Sequence, residues 1–241
     1  MFKYILFDFD GTVFDTVEGI TKSVRYAINL RGMDAELDSL RCFAGPPLVD
    51  MFMEHFGFTQ AEAEQATADF RVRYEPTGLH ECCVFPGVAE LLTALRAHGL
   101  VTAVATSKPE KLARELLEEN NMLGLFDAIC GSRPNGNNSE KWQIVSRVME
   151  SLGAVPEETV LVGDTKYDVF GAHRCGIKCI GVEYGYAAPG ELAAAGAEYV
   201  VNVHTAPLGL GAYGAHEGGF ARAGAALDYV QESAARREAA V

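Results

Sequence analysis

With 241 residues, nearly half of them hydrophobic (49%), the chain can bury one substantial core and still carry a smaller insertion. A formal net charge of −13 excludes nucleic acid polymers and anionic membranes as general partners, because both demand a positive face. No apolar stretch is long enough to span a bilayer, and six cysteines without a CxxC pair or regular spacing favour reduced thiols over an oxidised framework or a zinc site, so a cytoplasmic protein is expected.

In chain order, a strand is predicted over 3–9. Alternate side chains of a strand share a side, so Asp8 and Asp10 arrive together at the turn that Gly11 opens. One carboxylate can attack while the other moves a proton. A helix over 16–30 follows, with Ile20, Val24, Ala27 and Ile28 at helical spacing, and further helical patterns cover 47–55 and 60–74. Residues 15–85 therefore read as an all-helical unit without strands. Within it, Arg25, Arg41, Arg71 and Arg73 are candidate anchors for a substrate carboxylate or second phosphate, and Gly45-Pro46-Pro47-Leu48 is the candidate loop facing a site.

Alternation then takes over. Helix 87–98, strand 100–105, helix 110–120, strand 126–130, helix 140–152, strand 159–163, helix 166–175 and strand 177–182 follow one another. This order predicts an α/β fold with a parallel sheet and right-handed crossovers, whose ligands gather at the carboxyl ends of the strands. Three signals fall at such ends. Thr106 and Ser107 offer hydroxyls and backbone N–H groups suited to a phosphate oxygen, just before a helix start at Pro109-Glu110. Lys141 follows the loop 132–139, and Gly163-Asp164-Thr165-Lys166-Tyr167-Asp168 again places acids after an apolar strand. Beyond 205, a glycine-rich tail over 206–241, with a helix over 220–237, carries no motif.

Together, Asp8-Phe9-Asp10-Gly11-Thr12, Thr106 with Ser107, Lys141, and Gly163-Asp164 with Asp168 resemble the motifs of the haloacid dehalogenase-like superfamily. The resemblance covers about residues 1–205 and is to its phosphatases with a helical cap inserted soon after the first strand. Val104-Ala105-Thr106-Ser107-Lys108-Pro109, Gly45-Pro46-Pro47-Leu48 and Gly181-Val182-Glu183-Tyr184-Gly185-Tyr186 are most similar to phosphoglycolate phosphatase-like members. The resemblance implies a Rossmann-like parallel sheet core from 1–14 and 86–205, an inserted cap over 15–85, and a small-molecule phosphate ester as substrate.

It further implies that Asp8 attacks phosphorus to form an aspartyl phosphate, that Asp10 donates and then takes the proton, and that Thr106, Ser107 and Lys141 hold the phosphoryl oxygens. An anionic substrate among Asp8, Asp10 and Asp164 needs a cation, and clustered carboxylates with little histidine point to Mg2+. Its ligands would be the carboxylates of Asp8 and Asp164 and the backbone carbonyl of Asp10, with Asp168 behind them. Gly45, Pro46, Leu48 and Arg41 would select the leaving group. Nucleotide 5′-phosphatase and sugar phosphomutase remain as alternatives within the superfamily, and a non-catalytic binding module outside enzymology. A dehalogenase has no need of an acid at Asp10, and a phosphonatase would want a cap lysine where the sequence offers only Lys22.

Overall fold

The computed structural model describes residues 2–133 and 140–201. Its centre is a six-stranded sheet in which every paired neighbour is parallel. Strand β1 (Tyr4–Phe7) is buried along its whole length, as an unbroken apolar run covered on both faces must be. Ile5 and Phe7 point into one hydrophobic cluster while Leu6 points into the other, so the pleat alone divides the core into two layers. After β2 (Phe14–Asp15) and helices α1 (Val17–Asn29), α2 (Leu48–Phe56) and α3 (Gln60–Tyr74), strand β3 (Cys83–Val84) closes the insertion. The sheet then continues with α4 (Val88–Ala97), β4 (Val101–Pro109), α5 (Glu110–Glu119), β5 (Ala128–Ser132), α6 (Lys141–Leu152), β6 (Thr159–Gly163), α7 (Lys166–Arg174), β7 (Lys178–Val182), α8 (Glu191–Ala195) and β8 (Tyr199–Val201).

The strand order is β5-β4-β1-β6-β7-β8. From the central strand the chain first winds outward through β4 and β5, then crosses back to β6 and winds the other way. That reversal opens a crevice at the carboxyl ends of β1, β4 and β6, which is where doubly wound sheets place ligands. Helices α6 and α7 cover the face of the Leu6 cluster; α4 and α5 cover the opposite face, whose cluster runs on without a break into α1, α2 and α3.

The predicted elements reappear with shifts of a few residues at their ends, and four differences stand out. Residues 15–85 are not free of strands: β2 and β3 pair antiparallel, Phe14 with Val84 and Asp15 with Cys83, so the two crossings run side by side. Two residues per strand are too few to show a period. Strand β4 extends to Pro109, past the expected 105, with its register to β5 shifting between Ala105 and Pro109. A stretch of 3-10 helix, Leu37–Phe43, precedes α2 and buries Leu40 and Phe43. Finally, β8 adds a sixth strand too short for its pattern to be read. The tail 206–241, its predicted helix, and most of the loop before Lys141 lie outside the described residues. No helix among the described residues is long and apolar enough to cross a membrane.

Candidate active site

The turn after β1 is held by backbone. The Phe9 carbonyl accepts from Val13 and Phe14 N–H, each at 2.9 Å, while Asp8 N–H donates to the Val162 carbonyl on β6 at 2.8 Å. Gly11 sits at φ +86°, and a Cβ there would lie 2.1 Å from Asp164 Oδ2, so both the conformation and the space admit only glycine. Asp164, fully buried at the end of β6, is fixed by two donors across the chain: Thr12 Oγ1 to Oδ1 at 2.9 Å and Tyr186 N–H to Oδ2 at 2.8 Å.

Lys141, the first residue of α6, reaches into the same space. Its Nζ lies 2.7 Å from Asp8 Oδ1 and 2.8 Å from Asp168 Oδ1, and it donates to the Ala105 carbonyl at 3.1 Å. Both carboxylate oxygens are fully buried, and this ammonium is the group that faces them; the contact is ionic, without a well-aligned hydrogen bond. Asp168 is oriented from the other side by a capping box, its Oδ2 accepting from Thr165 N–H at 3.0 Å and Thr165 Oγ1 at 2.8 Å.

Electrostatics follow from burial. The Asp8 carboxyl is pushed up to about 7, first by loss of water and then by Asp168 and Asp10, with Lys141 opposing. Burial, with Asp168 and Asp8 as neighbours, also holds Asp164 well above the usual carboxylate range. For Lys141, burial disfavours the charge, but Asp168 and Asp8 outweigh it and the ammonium stays protonated. Oxygens of Asp8, Asp164 and Asp168 lie within 4.8 Å of one another. A divalent cation fits this donor set: the ligand atoms are hard oxygens, and a single ammonium does not balance the three carboxylates.

The structure thus brings together Asp8, Lys141, Asp164 and Asp168. Thr106 is buried at the carboxyl end of β4 and Ser107 half-buried beside it; Thr106 Oγ1 accepts from Lys108 N–H at 3.1 Å. The Asp10 side chain stands apart from the carboxylate cluster: Oδ1 accepts from Thr16 Oγ1 at 2.8 Å and Lys108 Nζ at 3.0 Å. Of the insertion, Gly45 lies against the loop carrying Asp164, a Cβ on it coming within 3.4 Å of Thr165 Cγ2. Pro46 and Leu48 are half-buried, and Leu48 packs on the hydrophobic cluster. Arg41 and Arg71 are exposed. Arg25 and Arg73 are engaged elsewhere, Arg25 with both oxygens of Asp34 at 2.7 and 3.0 Å, and Arg73 with both oxygens of Glu81 at 2.9 and 3.0 Å.

Sequence reasoning missed Lys108, Thr12, Thr16 and Tyr186 as parts of this site. Lys108 was discoverable, since it shares a strand face with Thr106 once β4 is extended. Tyr186 was not: its hydroxyl accepts from Thr16 N–H at 2.7 Å, a contact across 170 positions of sequence.

Comparison with known proteins agrees with this geometry. A family model for haloacid dehalogenase-like hydrolases matches residues 5–182. The chain is 42% identical over 191 residues to a 5′-nucleotidase of Pseudomonas aeruginosa, covering 79% of this chain and 86% of that protein. It is 31% identical over 193 residues to a phosphoglycolate phosphatase of Pseudomonas putida, covering 76% and 70%. Among solved structures, a predicted phosphatase from Clostridium acetobutylicum superposes with a TM-score of 0.82 at 40% identity, over 84% of this chain and 94% of that one. With three-quarters of its length matched and Asp8, Asp164 and Asp168 of the motifs clustered together, the chain belongs to the haloacid dehalogenase-like hydrolase family and groups there with phosphatases.

Proposed function

We propose that the protein hydrolyses a small-molecule phosphate monoester through an aspartyl phosphate on Asp8, with Mg2+ as the metal. The observation that carries this reading is the meeting of Asp8, Lys141, Asp164 and Asp168 at the switch-point crevice, with Asp10 one turn away. Asp8 needs a partner that keeps it ionised, and Lys141 at 2.7 Å provides one. Its carboxylate oxygen attacks phosphorus in line with the departing oxygen. Asp10 gives that oxygen a proton, then takes one from the water that hydrolyses the acyl phosphate. Thr106, Ser107 and Lys141 orient the phosphoryl oxygens by hydroxyl, N–H and ammonium. Asp8 and Asp164, with the Asp10 carbonyl, would hold Mg2+, and Asp168 would steer Lys141. Bound there, the ion supplies positive charge to phosphoryl oxygens during transfer.

Residues 15–85 act as the cap in this reading, with Gly45, Pro46, Leu48 and Arg41 beside the leaving group. Glycolate is one candidate leaving group. A nucleoside 5′-monophosphate is the second, favoured by the higher identity to the 5′-nucleotidase, 42% against 31%. The engagement of Arg25 and Arg73 in ion pairs also removes two cations that a small carboxylate would use. Free cysteines at all six positions and the acidic net charge support a cytoplasmic enzyme that acts on neither nucleic acid polymers nor membranes. The test is phosphate release over a panel of metabolites with and without Mg2+. No Mg2+-dependent release from any monoester would refute the reading, and a phosphorylated sugar product in place of free phosphate would point to a mutase.

A further inference from the structure

Lys108 is not used by the chemistry above, yet its side chain is only 3% exposed. Its Nζ lies 3.0 Å from Asp10 Oδ1 and donates to the Tyr74 hydroxyl. The rings of Tyr74 and Phe9 flank the ammonium at 4.9 and 5.8 Å. These groups come from different elements: Lys108 is the next-to-last residue of β4, Asp10 lies in the turn after β1, and Tyr74 is the last residue of α3 in the helical insertion. One ammonium therefore joins the proton-transfer carboxylate to the insertion.

A lysine stem is flexible and does not by itself fix where its charge sits. Tyr74 does fix it. The phenol is 5% exposed and its ring stacks on Phe70 at 4.9 Å, so the hydroxyl has the position that α3 gives it. Thr16 Oγ1 and Lys108 Nζ both bind Asp10 Oδ1, which leaves Oδ2 to carry the transferred proton.

Resting on the assignment of Asp10 as proton donor, we infer that Lys108 and Tyr74 are positioning residues for Asp10, and that seating of the helical insertion sets how well the leaving group is protonated. As the bond from phosphorus to the leaving oxygen breaks, that oxygen keeps the electron pair and takes the proton from Oδ2. Loss of the Tyr74 hydroxyl lets Lys108, and with it Asp10, drift.

Two aryl esters separate this role from a structural one: phenyl phosphate, whose leaving group needs a proton, and 2,4-dinitrophenyl phosphate, whose leaving group does not. In the full chain with Mg2+, Tyr74→Phe should lower kcat/KM for phenyl phosphate about tenfold and for the dinitro ester less than about twofold, a part of the usual effect of a general acid. Lys108→Met should give the same pattern, and adding Tyr74→Phe to it should cost nothing further. Equal losses on both esters, no loss, or additive losses in the double variant would each overturn the inference. Should Lys108→Met fail to fold, the two ratios for Tyr74→Phe decide alone. Asp10→Asn separates the levels: a selective loss on phenyl phosphate there, without one in Tyr74→Phe, removes only this inference, whereas no selectivity in Asp10→Asn removes the donor assignment beneath it.

Discussion

Asp8 illustrates how one side chain carries opposing demands. Burial raises its proton affinity, yet a nucleophile must be ionised, and Lys141 at 2.7 Å is the group that reconciles the two. Asp8→Asn keeps the shape, removes the proposed nucleophile and removes a buried charge. Phosphate release should fall by at least about a thousandfold while Tm stays level or rises. Activity above a few per cent of the parent would take Asp8 out of the nucleophile role. Asp164 and Asp10 should part company in a magnesium titration. On the proposed ligand set Asp164→Asn would lose a charged ligand and should raise the Mg2+ concentration for half-maximal rate by about tenfold or more, whereas Asp10→Asn retains the backbone carbonyl and should slow turnover with a smaller shift. Equal shifts in the two variants would contradict the ligand assignment.

At the level of elements, the site depends on how closely α7 approaches α6. Gly171 on α7 lies where a Cβ would come within 2.4 Å of Lys141 Cγ and 2.9 Å of its Cβ. Those atoms are at the root of the side chain and cannot swing aside cheaply. Gly171→Ala should therefore push Lys141 away from Asp8 and Asp168, reducing kcat by roughly tenfold to a hundredfold, as ångström-scale misplacements do. Unchanged kinetics would mean the helices separate without disturbing the lysine. The insertion offers a different test. Leu48 and Arg41 should alter the ratio of kcat/KM between a nucleoside monophosphate and phosphoglycolate when substituted by alanine, with less change for a minimal aryl phosphate. A uniform fall on all substrates would assign them to packing or closure instead.

For the molecule as a whole, three clustered buried carboxylates, two of them paired with one ammonium, make stability depend on pH and, in the proposed reading, on metal. The Asp8 pKa in the fold, about 7, exceeds its ordinary 3.8, so its contribution is most favourable below 3.8 and is lost as pH rises through 7. Asp164 shifts the same way. On the proposed assignment Mg2+ would bind the ionised forms and should offset that loss. The Mg2+-induced gain in Tm should grow from less than about 1 °C at pH 5 to roughly 5 °C at pH 8. A gain independent of pH would show that the metal binds elsewhere. What the sequence made legible at this scale was whatever a local pattern encodes: the unbroken apolar run before Asp8, the strand ends at Thr106 and Asp164, and the alternation that demands a parallel sheet. Lys108 could be placed beside Thr106 by strand alternation, but its pairing could not, because its partners lie 98 and 34 positions away, and the Asp164 clamp was hidden because Thr12 is 152 positions distant. The β2–β3 ribbon was too short to carry any period. That ribbon has an evolutionary consequence. Because Asp15 sits opposite Cys83, the polypeptide leaves the sheet layer and comes back at nearly the same point. An excursion whose two ends meet can be lengthened, shortened or exchanged for another without re-threading any strand. Ancestral reuse of one phosphoryl-transfer centre for new metabolites then needs change only in the detour, while the acids at the strand ends keep their places.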